Sequence, residues 1–263
     1  MPFTPTHTLA TVPIAWFWSG AGVFPALVIG SMVPDWPLYV PYGPRYQLTH
    51  SFPGILLACL PIGFVISIFF QLALKRALYE LLPRNFQARL VAYVAVDPLF
   101  GIRPLLMIAA AVSVGATTHI AWDAFTHYGQ WGAELVPLLY EQITLTGNFS
   151  LPVYSLLQHG STLLGLPIFL LMLAIWFRKS REYALPQPLL TSPLRVFWAA
   201  ALILIPLGLM TFILIDLTVA TSARDVFRIL FFGVTRAGLA SLVSLLCYGV
   251  FFAAVMRFRV RGQ

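Results

Sequence analysis

Residues 104–127 read PLLMIAAAVSVGATTHIAWDAFTH, and this stretch decides the fold. From Leu105 to Ala116 it carries no charge and one hydroxyl, Ser113. About 20 such residues cross the hydrocarbon core of a bilayer, because a helix rises about 1.5 Å per residue and satisfies its own backbone polar groups where no water is present. The end of the run changes character. His119, Asp123 and His127 fall at i, i+4 and i+8, which stacks them on one helical face. Gly129 is expected to end the helix, leaving His127 in its last turn or just beyond. Ionisable groups in a span are costly toward lipid, so they face the bundle interior and mark function.

Four further apolar runs surround this one, at 52–73, 160–177, 197–219 and 237–256. The stretch 9–33 is also apolar but is interrupted by Pro13, Gly20, Gly22 and Pro25. Such interruptions mark broken helices, and a short helical hairpin turning near Ser19 to Gly22 is expected, with a single straight span as the alternative. No Lys or Arg precedes Arg45, so the basic opening of a secretory signal is missing. The expected fold is all-α: a polytopic integral membrane helix bundle with a broken N-terminal helical hairpin and about five transmembrane helices. The whole chain, 1–263, reads as one integral membrane domain, in which 1–180 carries the motifs and 181–263 adds two spans.

Composition agrees with that reading. Of 263 residues, 59% are hydrophobic and only 10% charged, whereas soluble domains carry roughly a quarter charged residues. The net charge of +7 is not the stripe of a nucleic-acid binder, because the cations gather at the ends of apolar runs. Twelve of the 16 fall in loops 74–103 and 178–196 and in the C-terminal tail, which by the positive-inside rule makes that face, and the C-terminus, cytoplasmic. The expected location is a bacterial cytoplasmic membrane. Cys59 and Cys247 lie within apolar runs, where thiols behave as small hydrophobes and report no redox compartment.

The five histidines, His7, His50, His119, His127 and His159, all fall at or near the outer ends of segments, and Asp35 and Asp123 join them. Together they form a candidate metal site of seven residues. Imidazole nitrogen mixed with carboxylate oxygen suits zinc or a similar divalent ion, and Asp123 and Asp35 are the candidate catalytic carboxylates, able to orient water or take its proton. Duller readings stand beside this one. His119 and Asp123 can join helices by a hydrogen bond, and His127 can sit at the interface. His7 and His50 can cap helices, Asp35 can belong to a turn after Pro34, and His159 can simply precede an apolar run beside Gly160.

The segments MPFTPTH (1–7), LVIGSMVPDW (27–36), THSFPG (49–54), HIAWDAFTHYG (119–129) and VYSLLQHGS (153–161) are similar, in order and spacing, to bacterial membrane proteins catalogued as domain of unknown function 4184. That family resembles a broader group named for an inferred membrane-bound metal-dependent hydrolase activity. The resemblance covers about residues 1–180 and implies metal-ligand roles for His7, Asp35, His50, His119, Asp123, His127 and His159, without naming a substrate. The function expected is hydrolysis of a lipid or lipid-linked ester or phosphoester at the outer membrane face, with membrane lipid as the partner. The alternative is a carrier or sensor of a divalent metal ion or proton. Two features weigh against a carrier: few polar groups line the cytoplasmic halves of the spans, and no internal repeat is visible.

Overall fold

The structure, a computed structural model, describes residues 4–18, 20, 22–40, 42–95, 101–147 and 149–261. A 3₁₀ segment, Thr4–Ala10, leads into α1 (Thr11–Phe17) and α2 (Val23–Met32). These two form the expected hairpin, with Pro25 placed in the first turn of α2, where its missing N–H costs nothing. Residues 19 and 21 of the turn lie outside the described residues, and Gly22 closes it at φ +81°, a left-handed conformation open to glycine.

Five helices among the described residues are long and apolar enough to cross a membrane, so the chain is an all-α polytopic membrane protein. They are α3 (Phe52–Leu81), α5 (Ile102–Thr126), α6 (Val153–Lys179), α7 (Ser192–Leu214, extended by a 3₁₀ turn) and α8 (Ala223–Arg261), with α4 (Arg84–Ala95) lying between α3 and α5. Helix α3 starts where the Ser51 hydroxyl oxygen accepts the Gly54 N–H at 3.1 Å. It widens to a π turn at Ile55–Cys59, next to Pro61, which lacks the donor a regular turn requires.

The elements differ from the sequence expectation at several places, beginning with the stretch 74–103, expected as a loop, where α3 runs on to Leu81 and α4 follows. Helix α6 begins at Val153 rather than near 160, so its first two turns include Gln158 and His159. Helix α8 takes in Arg224, Asp225, Arg228 and Arg236, which read as a loop in the sequence. Its start is fixed by Ser222, whose hydroxyl accepts the Asp225 N–H at 3.1 Å and donates to the Asp225 carboxylate at 2.7 Å, a reciprocal cap. The loop after α5 also holds a β-hairpin, β1 (Gln142–Thr146) with β2 (Phe149–Pro152), paired Ile143 to Leu151 and Thr144 to Ser150. The alternation of QITLT around Thr146 and Gly147 is its signal.

The contacts group the chain into two compact units. The first comprises 1–37, 44–68 and 97–180, and the second 38–43, 69–96 and 181–263. In the first, Val23, Ala26 and Leu27 of α2 pack on Ile108, Ala111 and Val112 of α5. The two backbones touch because glycine faces them: a Cβ on Gly30 would lie 2.2 Å from the Val112 carbonyl oxygen, and one on Gly115 2.3 Å from that of Leu27. Small residues permit this approach where lipid supplies no hydrophobic drive between helices. One turn further along, Ser31 of α2 meets His119 of α5.

In the second unit, Ala77, Leu190, Tyr248 and Phe252 form the core. The Tyr248 hydroxyl donates to the Ala77 carbonyl at 2.7 Å, and buried Glu80 accepts the Leu189 N–H at 3.0 Å.

Candidate metal centre

The first unit gathers five of the seven predicted residues into one buried cluster at the ends of its spans. His7 comes from the 3₁₀ segment, Asp35 from the short turn after α2, His50 from the residues just before α3, and His119 and Asp123 from the last turns of α5. Their side chains are at most 5% exposed. The facing atoms lie close: His119 Nε2 to Asp123 Oδ2 3.3 Å, His50 Nε2 to the same oxygen 3.5 Å, His50 and His119 Nε2 to Asp35 Oδ1 3.5 and 3.7 Å, and His7 Nε2 to Asp123 Oδ1 3.5 Å.

These separations are too long for good hydrogen bonds. They match what a shared ion requires, since two ligands about 2.1 Å from one zinc ion at a tetrahedral angle stand roughly 3.4 Å apart. The unsatisfied atoms agree. Of the seven buried side-chain nitrogens and oxygens without a hydrogen-bond partner among the described residues, six are His7 Nε2, Asp35 Oδ1, His50 Nε2, His119 Nε2 and both oxygens of Asp123. Each such group costs about 1–3 kcal/mol when left unmet, and more when charged. Six concentrated in one place form a cluster that could hold a cation.

The surrounding hydrogen bonds set the tautomers. His119 Nδ1 lies 2.7 Å from the Ser31 carbonyl oxygen, and a carbonyl only accepts, so Nδ1 carries the hydrogen and Nε2 presents a lone pair. His50 repeats the pattern, with Nδ1 at 3.2 Å from the Tyr46 carbonyl oxygen. Nε2 of each ring therefore points at the two carboxylates, an arrangement that repels unless positive charge, a metal ion or a proton on the ring, sits between them. The Thr4 hydroxyl donates to Asp35 Oδ2 at 2.6 Å and leaves only Oδ1 facing the centre.

The environment tunes the groups outside the spans in opposite directions. Burial pushes the His7 imidazole down to about 3 and keeps it neutral, the form in which an imidazole can bind a metal. Burial also lowers His50, but the carboxylates of Asp123 and Asp35 reverse this and raise it to about 9. Burial pushes Asp35 up, and His50, His119 and the Thr4 hydroxyl outweigh it and hold the carboxyl below its ordinary value.

Residues 1–250 match the family described as a domain of unknown function, DUF4184. The chain belongs to this family. The match extends through α7 and most of α8, beyond the motif-bearing stretch that carries the resemblance in the sequence. No curated protein and no solved structure matches the chain.

Two predicted residues take different places. His127 stands at the edge, with Nδ1 3.5 Å from Asp123 Oδ1 and 3.2 Å from the Asp123 carbonyl oxygen, while its Nε2 meets the Gln158 amide nitrogen at 3.0 Å. Both ring nitrogens are thus engaged, by the Asp123 backbone carbonyl and by Gln158. His159 is exposed on α6 and is not brought to the cluster; its neighbour Gln158, buried, takes the inward position.

The sequence reading also passed over Thr4, Ser31, Tyr46 and Gln158. Thr4 lies three residues before His7 and Gln158 immediately before His159, so proximity to a histidine was the available signal. Ser31 contributes a backbone carbonyl, which no side-chain pattern announces. Tyr46 stacks on His50 at 3.7 Å.

Proposed function

We propose that the protein is a membrane-bound metal-dependent hydrolase of the zinc type. In this reading it acts on a lipid or lipid-linked ester or phosphoester at the outer face of a bacterial cytoplasmic membrane, with its C-terminus in the cytoplasm. The observation that carries the proposal is the convergence of six unsatisfied ligand atoms at 3.3–3.7 Å. The weighting of the cations toward the loops on one side of the spans supports the orientation.

Asp35 Oδ1, His50 Nε2 and His119 Nε2 form one set of three ligand atoms close enough to hold an ion, with Asp123 Oδ2 beside the two histidines at 3.5 and 3.3 Å, and His7, His119 and Asp123 form a second, overlapping set. His119 has only Nε2 to offer, so it serves a single ion. A zinc ion there supplies a Lewis acid that polarises a phosphoryl or acyl oxygen and acidifies water. Asp123 keeps a second oxygen, Oδ1, turned toward His7 and His127, and can take a proton from a nearby water. His7 closes the other side of the cluster as a neutral imidazole. The apolar walls built by Val33, Ile55, Ala116 and Ile120 exclude bulk water and strengthen each of these interactions.

The test is turnover of a panel of phospholipid and lipid-linked esters and phosphoesters by protein reconstituted in bilayers. Activity on at least one class is expected, abolished by a chelator, restored by zinc, and lowered about 10²–10⁴-fold by Asp123→Asn. Turnover that persists in chelator overturns the reading. Vesicles that accumulate zinc with no bond broken, in a His119-dependent way, replace it with a carrier.

A further inference from the structure

We propose that the segment between α5 and α6 is an interfacial platform seated in the lipid headgroup layer, and that substrate reaches the metal cluster across it from the bilayer rather than from bulk water. The inference deepens the function proposed above and rests on it for the word substrate; the seating of the platform stands on its own observations.

The first observation is continuity. Strand β2 ends at Pro152 and α6 begins at Val153. With 27 residues, α6 is about 40 Å long, whereas the hydrocarbon core is about 30 Å thick. Its apolar run spans 160–177 and ends directly at Arg178 and Lys179, so the excess length falls at the N-terminal end, whose first turns stand in the headgroup region with the hairpin joined directly to them.

The second observation is the hairpin's two faces. Thr144 and Ser150 pair on one face through their hydroxyls at 3.0 Å, beside Gln142. Ile143, Leu145 and Leu151 alternate onto the other. Ile143 and Leu145 are 44% and 48% exposed, so the apolar face is left open on a two-stranded ribbon, which is marginal in water by itself. Leu135 and Leu138, in the turns just before the hairpin, are exposed as well.

The third observation is chemical. No Lys or Arg occurs between Arg103 and Arg178, so attraction to anionic headgroups does not hold this segment down. Apolar insertion and aromatic anchoring do. Tyr128, Tyr140 and Tyr154 form a cluster with ring centroids 5.6–6.3 Å apart, and the Tyr140 hydroxyl accepts the Gly129 N–H at 3.1 Å. Tyrosine is enriched at this depth because its ring is apolar and its hydroxyl is wet.

The platform also borders the cluster where the cluster is least closed. The His127 side chain is 18% exposed, against 5% or less for the five inner residues. Tyr128 follows it in the chain, and Tyr154 lies one turn before Gln158, the residue that holds His127. The open edge of the site is thus joined, through His127 and Gln158, to the segments that carry Tyr128 and Tyr154.

Nitroxide labels at Leu145→Cys and Thr144→Cys, in protein carrying Cys247→Ala and reconstituted in phosphatidylcholine bilayers, test the seating. Cys59 is buried and stays unlabelled. Collisions with oxygen are expected to exceed collisions with a water-soluble nickel chelate several-fold at position 145, with a lower ratio at 144 and no change when anionic lipid is added. Equal, water-like access at both positions overturns the proposal, and so does dipolar broadening between labels of neighbouring copies, which would place a second copy on the face. An Ile143→Asp, Leu145→Asp variant then tests access. It is expected to lose most turnover of bilayer-embedded ester while keeping its metal and its turnover of a short-chain soluble ester. Equal loss on both substrates overturns the route. Absence of metal and activity in the unmodified protein would sink the hydrolase reading while leaving the label result to decide the seating.

Discussion

Among single residues, metal binding turns on which nitrogen and oxygen atoms face the centre. Of the proposed ligands His119 is held at the shortest distance, by the Ser31 carbonyl at 2.7 Å, and His119→Ala is expected to abolish tight metal binding, read as metal content after purification. Thr4 acts at one remove. Its hydroxyl fixes Asp35 Oδ2, so Thr4→Val is expected to weaken metal affinity about 10–100-fold while the fold persists, measurable by competition with a chromogenic chelator. The five central residues were legible in the sequence because imidazoles and carboxylates are rare in a chain this apolar, and each that is kept in or beside a span needs a partner. The exchange of His159 for Gln158 was not legible. Neighbouring residues on a helix point about 100° apart, and which one turns inward depends on where α6 begins.

The elements meet through glycine. The α2–α5 contact places Ser31 against His119 only because Gly30 and Gly115 let the backbones touch. Gly115→Ala puts a methyl group 2.3 Å from a carbonyl oxygen that cannot move alone, and is expected to cost about 1–3 kcal/mol as overpacking and to lower metal occupancy with it. Gly160→Ala, where an added Cβ meets nothing within 4 Å, serves as the control and is expected to change neither; thermal unfolding and metal analysis on the same samples check both. The five spans were legible from apolar length alone. The early start of α6 and the N-terminal extension of α8 were not, because each lies in polar or mixed sequence where capping, rather than hydropathy, sets the limits; the β-hairpin left only the short alternation of QITLT, which apolar length does not register.

For the whole molecule, every residue of the cluster belongs to the first compact unit. The second has its own core and its own buried carboxylate, so Glu80→Ala, which leaves the Leu189 N–H without its acceptor, is expected to lower stability by about 1–3 kcal/mol with metal content per folded molecule unchanged. Calorimetry beside metal analysis separates the two effects. Elemental analysis with X-ray absorption, on protein purified without added metal, tests whether the cluster is a metal centre. The account predicts near-stoichiometric zinc or a similar divalent ion in a shell of nitrogen and oxygen at about 2.0–2.2 Å, lost in His119→Ala. Intact, folded protein that carries no transition metal and takes up none when zinc is supplied would contradict it.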